Sequence, residues 1–329
     1  MTASPDDPAL ENDFPHIHAQ FIEEGNKAFA KLNFLNASVV LATTPGLDVY
    51  QWKRSKQVDY YVHLPHAASD ISGYRMFGID YYDAILLSGQ YQVEQVRALE
   101  KLRALPAKEI VKVGIPYMDD MLARLHADPP LPEHERTVLL APSWGESAIS
   151  KNTAAGSSTP ACDGYHIHHP PAPAVVPLRA GHDGEAHARL SRFAPARVER
   201  DADNYDVLRR SDIMISDFSG VIFDFALVYD KPVIYADTEF DKSPYDAWWL
   251  DKPLWTFTAL PRIGEKLTPE NMSGLRGMID ACLTDPRYEA GRQEVRAETW
   301  EHPGEGAVRA ANYLLAKYQE LKSQEEGKK

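Results

Sequence analysis

The stretch Ser211–Asp237 constrains the fold more than any other part of this sequence. An apolar strand is predicted at Ile213–Ile215 and ends in the polar turn Ser216–Gly220. A short apolar helix leads from that turn to a second apolar strand at Val233–Tyr235. This order predicts a βαβ unit, because a helical crossover brings the second strand parallel to the first.

The turn of this unit is a candidate phosphate site. The predicted helix begins with free backbone N–H groups beside Ser219 and Gly220, and such a helix start carries partial positive charge. Open parallel sheets also bind ligands at the carboxyl ends of their strands. The alternative interpretation is an ordinary crossover in which Asp217 and Ser219 only cap the helix.

The remainder of the chain alternates strands and helices in the same way. Strands are predicted at Ala37–Thr43, Val58–His63, Tyr82–Ser88, Ile110–Val113 and Thr137–Ala141, and helices at Phe21–Leu35, Gln90–Leu105 and Tyr117–Leu125. Such alternation is typical of α/β proteins with parallel sheets. A proline-rich stretch at Asp128–Pro132 divides the pattern. We therefore expect two Rossmann-type domains that face each other across a cleft.

Domain boundaries follow from these elements. We expect a polar tail at 1–20, an N-terminal domain at 21–127, a linker at 128–136, a C-terminal domain at 137–318 and a charged tail at 319–329. The N-terminal domain is short for this architecture, and we expect it to lack one or two strands.

Composition excludes several classes of protein. A net charge of −13 argues against non-specific nucleic-acid binding, because phosphates are neutralised by clustered Lys and Arg. No window approaches the roughly 18 consecutive apolar residues of a membrane span. Cys162 and Cys282 lack a metal-binding spacing, which favours a reduced, cytoplasmic protein.

Four motifs together give the chain a family resemblance. They are YYVHLPHAASDISGYRMFGIDYYDAILLSG (60–89), LLAPSWGES (139–147), DNYDVLRRSDIMISDFSGVIFDFALVYDKPVIYAD (203–237) and PGEGA (303–307). In these motifs the chain resembles the CDP-glycerol glycerophosphotransferase family of the teichoic-acid polymerase type. The resemblance implies a GT-B fold with an acceptor-side N-terminal domain and a CDP-polyol-binding C-terminal domain.

The resemblance also implies roles for individual residues. The family's N-terminal histidine, a general base for the attacking hydroxyl, falls on His66. His63 is the competing candidate, and both also fit polar residues at a strand end. The implied donor-phosphate turn comprises Ser216, Asp217, Ser219 and Gly220, where the family usually has a second serine at the last position. Further donor-site candidates are Ser143, Trp144 and Asp237, the last of which also fits a solvated turn.

The implied reaction moves a phospho-polyol from CDP-glycerol or a related CDP-polyol, and CMP leaves. The acceptor is a polyol-phosphate or a lipid-linked or glycan hydroxyl. We expect no cofactor, no metal and no nucleic acid. The family implies peripheral contact with the inner face of the cytoplasmic membrane. Two alternatives stay open: another GT-B enzyme, such as a nucleotide-sugar transferase or epimerase, and a non-catalytic nucleotide-binding remnant.

One stretch, 151–195, departs from the family. It carries five of the chain's 12 histidines and six of its 24 prolines, without strand or helix periodicity, and we expect it to be disordered. The family's R-P-H-P element, whose arginine and histidine face the donor phosphates, is missing. When His168–Val175 is written in GC-rich codons and read one nucleotide later, it encodes I-I-R-P-H-P-Q. We therefore hypothesise a frameshifted segment, and impaired activity for the chain as written.

The same stretch allows a competing interpretation as a metal site. Imidazole binds zinc and nickel well, but these histidines follow no settled metal-binding spacing. They are His166, His168, His169, His182 and His187.

Overall fold

The structure is a computed structural model. It describes residues 1–12, 15–49, 51–75, 77–134, 136–141, 204–236 and 253–327, and the backbone alone at 166–169 and 196–198.

The N-terminal domain is a parallel sheet of four strands in the order β1-β2-β3-β4. The strands are β1 (Asn36–Ala42), β2 (Gln57–His63), β3 (Ala84–Leu87) and β4 (Glu109–Lys112), and the helices are α1 (Gly25–Asn33), α2 (Gln90–Arg103) and α3 (Pro116–Ala127). Strand β3 is buried along its whole length. An uninterrupted apolar run is what a parallel strand covered on both faces requires.

The C-terminal domain holds a parallel sheet of six strands in the order β10-β9-β8-β5-β6-β7. Its strands are β5 (Thr137–Leu140), β6 (His166–His169), β7 (Ala196–Val198), β8 (Ile213–Ser216), β9 (Val233–Ala236) and β10 (Gly264–Leu267). The helices that follow β5 along the chain are α4 (Tyr205–Arg210), α5 (Val221–Val228), α6 (Trp255–Ile263), α7 (Leu275–Thr284), α8 (Pro286–Thr299) and α9 (Gly306–Glu326). The prediction of two parallel-sheet domains is confirmed.

The strand order reverses between β5 and β8. From β5 the chain builds β6 and β7 on one side, and it then returns to place β8 on the other side of β5. The pairing of β5 with β8 continues one residue past the end of β5, where the Ala141 amide donates to the Ile215 carbonyl at 2.9 Å. Such a reversal opens a crevice at the carboxyl ends of the two strands, which is where open α/β sheets bind ligands.

Packing between the domains is continuous. One buried cluster joins Ala68 and Tyr91 of the N-terminal domain to Phe223 of α5, Trp255 of α6 and Trp300 after α8. Because close-packed side chains resist displacement, this shared core fixes how the two sheets face one another.

The last helix returns to the N-terminal domain. Ala310 of α9 is buried in one cluster with Val62 of β2 and Leu86 of β3. The approach to α9 is held by Asp119 of α3, which accepts hydrogen bonds from the Trp300 Nε1 (2.9 Å) and from the amides of Gly304 (2.7 Å) and Gly306 (2.8 Å). The PGEGA motif therefore turns the chain toward the N-terminal sheet.

Three predicted segments contain regular structure that the sequence did not indicate. The tail predicted at 1–20 contains a 3-10 turn at Pro8–Leu10, and Thr2 bridges to Phe21. The charged tail predicted from residue 319 is helical through Glu326, because α9 continues. Within the stretch expected to be disordered, residues His166–His169 form β6, which pairs with β5 and β7; the rest of 151–195 lies outside the described residues.

Candidate active site

His66 lies in the turn that follows β2. Its side chain is exposed, while Ala68 two residues later is fully buried. The surrounding protein still limits solvation of the ring, and this desolvation lowers the pKa of His66 below its ordinary value. A lowered pKa leaves the imidazole neutral at pH 7, in the state that accepts a proton.

His63, the competing candidate, is a core residue. Its ring is 0% exposed and its Nδ1–H donates to the Ala42 carbonyl at 3.0 Å. The rings of Tyr74 and Tyr82 pack against it, with centroids 5.7 and 5.0 Å away. Burial lowers the pKa of His63 to about 4, so it is a neutral structural residue. Of the two candidates, His66 is the exposed one.

Two residues of the predicted phosphate turn belong to its framework. Ser216 is fully buried, and its hydroxyl donates to the Ala141 carbonyl at 2.5 Å. Asp217 is 1% exposed, and its Oδ1 accepts from the amides of Phe218 (2.7 Å) and Ser219 (3.2 Å). A buried carboxylate that already accepts backbone bonds holds the turn in shape instead of facing an anion.

The start of α5 beyond this turn is open. Gly220 is exposed and has empty space where a Cβ would lie. No side chain caps α5. The structure therefore does not fit the alternative in which Asp217 and Ser219 serve only as helix caps. The amides of Gly220 and Val221 make no hydrogen bond within the part of the chain that the structure describes. Unpaired amides at a helix start are suited to bind an anion.

Helix α6 brings the two turns together. At its first residues, the Trp255 amide donates to Oδ1 of Asp70, four residues beyond His66, at 2.7 Å. Two residues further along, the Phe257 ring packs against that of Phe218 in the phosphate turn, with centroids 6.2 Å apart. Both turns therefore border the beginning of one helix.

The other predicted donor-site residues, Ser143, Trp144 and Asp237, lie outside the described residues, so their roles stay predictions.

Asp224 on α5 was not singled out from the sequence. Its Oδ1 is buried without a hydrogen-bond partner in the described structure, and desolvation raises its pKa to about 7. The only signal in the sequence is a lone aspartate inside the apolar helix VIFDFALV. A carboxyl with such a pKa is half protonated near neutral pH.

Asp224→Asn is expected to stabilise the protein at pH 8 by roughly 2 kcal/mol, less than the full pKa shift implies because the residue is partly exposed. In the unfolded chain this carboxyl ionises near its ordinary pKa, so the wild type loses stability as pH rises from about 4 to 7. The amide cannot ionise and should remove that slope. Urea unfolding at pH 5 and pH 8 measures it, with the exposed Asp206→Asn as the matched control. Equal slopes in all three proteins would contradict the prediction.

The described residues contain no group of three or more His, Cys, Asp or Glu side chains that could hold a metal ion. None of their helices is both long and apolar enough to cross a bilayer.

Comparison with known proteins gives a family and a fold. The family model for CDP-Glycerol:Poly(glycerophosphate) glycerophosphotransferase matches residues 79–247, more than half of the chain. The structure is similar to the wall teichoic acid polymerase TagF, with a TM-score of 0.51 and 16% identity over 91% of this chain and 75% of that one. A TagF variant soaked with CDPG matches with a TM-score of 0.54 and 14% identity, over 91% and 75% of the two chains.

A putative UDP-N-acetylglucosamine 2-epimerase from Listeria monocytogenes is also similar. Its TM-score is 0.53 at 16% identity, over 94% of this chain and 83% of that one. No curated protein sequence matches the chain. At these identities the structural matches show the fold alone, which is the α/β architecture of the GT-B type.

Proposed function

Because this chain belongs to the CDP-glycerol:poly(glycerophosphate) glycerophosphotransferase family, which consists of phosphotransferases, we propose that it moves phosphoglycerol, or a related phospho-polyol, from a CDP-linked donor to an acceptor hydroxyl. The acceptor oxygen attacks the phosphorus that carries the polyol. A new P–O bond forms, the P–O bond to the CMP phosphate breaks, and the electron pair of that bond leaves with CMP.

His66 acts as the general base in this proposal. It takes the proton of the attacking hydroxyl, which its neutral imidazole can do at pH 7 because desolvation lowers its pKa. Its exposure after β2 leaves room for an acceptor. His63 has no such access, since it is fully buried.

The start of α5 holds the donor diphosphate. The amides of Gly220 and Val221 point their partial positive charge at the phosphate oxygens and stabilise the negative charge that builds up on the leaving CMP. Ser219 can add a hydroxyl. Ser216 and Asp217 shape the turn that presents these groups, through their bonds to Ala141 and to the Phe218 amide.

One observation carries the proposal: α6 joins the His66 turn to the phosphate turn, through Asp70 on one side and Phe218 on the other. A base on one domain and an anion site on the other are what transfer between two bound substrates requires. The position of the phosphate turn at the reversal between β5 and β8 adds support, since such crevices bind ligands in open sheets.

The donor distinguishes this function from the alternatives. We expect the protein to release CMP from CDP-glycerol in the presence of a polyol-phosphate acceptor, and to release no UDP from UDP-N-acetylglucosamine. Chromatographic detection of both nucleotides measures this. UDP release or 2-epimerisation without CMP release would contradict the proposal and favour an epimerase-like activity. Calorimetric binding of CDP-glycerol without any turnover would favour a non-catalytic remnant.

The acceptor is a hydroxyl on a polyol-phosphate chain or on a lipid-linked glycan, and the enzyme meets the latter at the membrane surface. The family description supports the poly(glycerophosphate) acceptor, and the lipid-linked acceptor and the membrane contact rest on the sequence resemblance alone. A vesicle-flotation assay with and without a lipid-linked acceptor would test it, because binding that depends on the acceptor separates substrate recognition from attraction to lipid.

A further inference from the structure

We propose that Asp70 is a positioning residue, which holds the His66 turn in place by capping helix α6 across the two domains. The inference rests on the proposed function, because it concerns the placement of the proposed base relative to the donor site.

Asp70 makes an unusually complete set of bonds to α6. Oδ1 accepts from the Trp255 amide at 2.7 Å, and Oδ2 accepts from the amide (3.0 Å) and the hydroxyl (2.7 Å) of Thr256. The residue next to the helix, Leu254, offers no side-chain cap. Asp70 therefore serves as the N-cap of α6 although it lies 185 residues away in sequence.

The same carboxylate is tied to its own domain. Oδ1 also accepts from Nε2 of Gln95 on α2 at 2.6 Å, and Oε1 of that glutamine accepts from the Ile71 amide at 2.7 Å. The Ser69 carbonyl accepts from Nε2 of Gln92 at 2.9 Å. Asp70 is only 6% exposed, so water does not replace these bonds easily. The turn that carries His66 is held between α2 and α6.

Helix α6 also packs against the donor half of the site. The Trp255 ring contacts both Tyr91 of α2, at a centroid distance of 4.4 Å, and Phe223 of α5, at 4.9 Å. Phe257 contacts Phe218 in the phosphate turn. A shift of the Asp70 turn relative to α6 is therefore a shift of His66 relative to the start of α5. A displacement of about 1 Å at a reacting group can lower a rate on the order of 10²-fold.

The test follows the His66 imidazole directly. In Asp70→Ala the turn loses its attachment to α6, so His66 becomes better solvated and its pKa should rise toward the ordinary value. NMR titration of the full chain with labelled histidine measures this, with the His66 signal assigned by its absence in His66→Gln. Asp285→Ala is the matched control, because Asp285 caps α8 from the adjoining residue by accepting from the Arg287 amide at 2.9 Å. The control should leave the titration of His66 unchanged.

Asp70→Asn distinguishes the positioning of the His66 turn from the electrostatic effect of the Asp70 charge. It removes the charge but keeps one acceptor oxygen, so positioning predicts a smaller rise in the pKa of His66 than in Asp70→Ala. A loss of negative charge alone would lower that pKa, and equally in both variants. Equal or downward changes in the two variants would therefore overturn the proposal.

Hydrogen exchange gives a second readout, which can also be applied to a milder variant. Asp70→Ala should speed amide exchange roughly fivefold both in residues 67–73 and in 255–258, since a cap contributes about 1 kcal/mol. Thr256→Val, which removes only the hydroxyl bond, should give a weaker effect in the same two segments and keeps the test open if Asp70→Ala fails to fold. Faster exchange in α6 alone would show that Asp70 only caps that helix and does not hold the His66 turn, which would contradict the inference. Neither readout needs turnover, so release of UDP from UDP-N-acetylglucosamine without release of CMP from CDP-glycerol would refute the proposed function without affecting this result.

Discussion

His66→Gln is expected to lower the rate of phosphoglycerol transfer by roughly 10² to 10⁴, with little change in the affinity for the donor. The reason is that glutamine cannot take the proton of the attacking hydroxyl, while the start of α5 that binds the diphosphate is untouched. Transfer of radiolabelled phosphoglycerol and the release of CMP measure the rate, and calorimetry with CDP-glycerol measures the affinity.

Two other histidines serve as controls. His126→Gln replaces an exposed residue of α3 and should retain full activity. His63→Gln should lower the free energy of unfolding by about 1–3 kcal/mol, because it disrupts a buried ring and its bond to Ala42. If His66→Gln transferred phosphoglycerol as fast as His126→Gln, His66 would not be the base.

The pH profile gives an independent check. A base works only when it is unprotonated, and desolvation lowers the pKa of His66. The transfer rate should therefore rise with pH through a midpoint below the ordinary histidine value and stay level above it. The residual rate of His66→Gln should lack that midpoint.

Pro170→Arg combined with Ala172→His is expected to raise the transfer rate by several orders of magnitude. These two changes alone turn Pro170–Pro173 into the family's R-P-H-P element. An arginine and a histidine that face the donor phosphates stabilise charge in the transition state, and each such donor is worth on the order of 10²- to 10³-fold.

The neighbouring strand supports this expectation. Although residues 170–173 lie outside the described residues, β6 ends at His169 beside β5. The carboxyl ends of parallel strands lie at one edge of their sheet, so β6 ends at the same edge as β8. The phosphate turn follows β8 at that edge.

The control for this increase in transfer rate is a double variant with side chains of similar size but no positive charge, Pro170→Met with Ala172→Asn. It should leave the rate low, so that any increase in the first variant comes from the arginine and the histidine. Similar rates in the two variants would show that the missing element does not limit activity. The coding DNA across codons 150–196 tests the frameshift hypothesis separately: it must allow compensating insertions or deletions that regenerate R-P-H-P.

Much of the fold was predictable because parallel strands have a simple signal. Runs such as Ile213–Ile215 and Val233–Tyr235 are apolar and end in polar turns, and the structure places both strands within one residue of the prediction. The strand β6 was not predictable, since His-Ile-His-His has no apolar run and its conformation follows from pairing with β5 and β7. Pairing between distant segments overrides local pattern.

The site was predictable only in part, for a similar reason. The turn after β8 could be found because helix starts and strand ends are local features. The burial of the Ser216 hydroxyl could not be predicted, since it depends on a hydrogen bond to the Ala141 carbonyl, which follows β5. Asp70 lies within the motif at 60–89, but its role depends on hydrogen bonds to Trp255 and Thr256. These residues are too distant in the sequence for the contact to be predicted.

The return of α9 to the first sheet has a consequence for how the molecule can be divided. A protease that nicked the chain within 128–136 would leave two pieces, and the longer one would still cover the face of β2 and β3 with Ala310. The pieces should therefore stay together as a non-covalent complex and co-elute until a denaturant separates them. The N-terminal domain expressed alone would expose that apolar face to water. Addition of a fragment that contains α9 should restore its solubility.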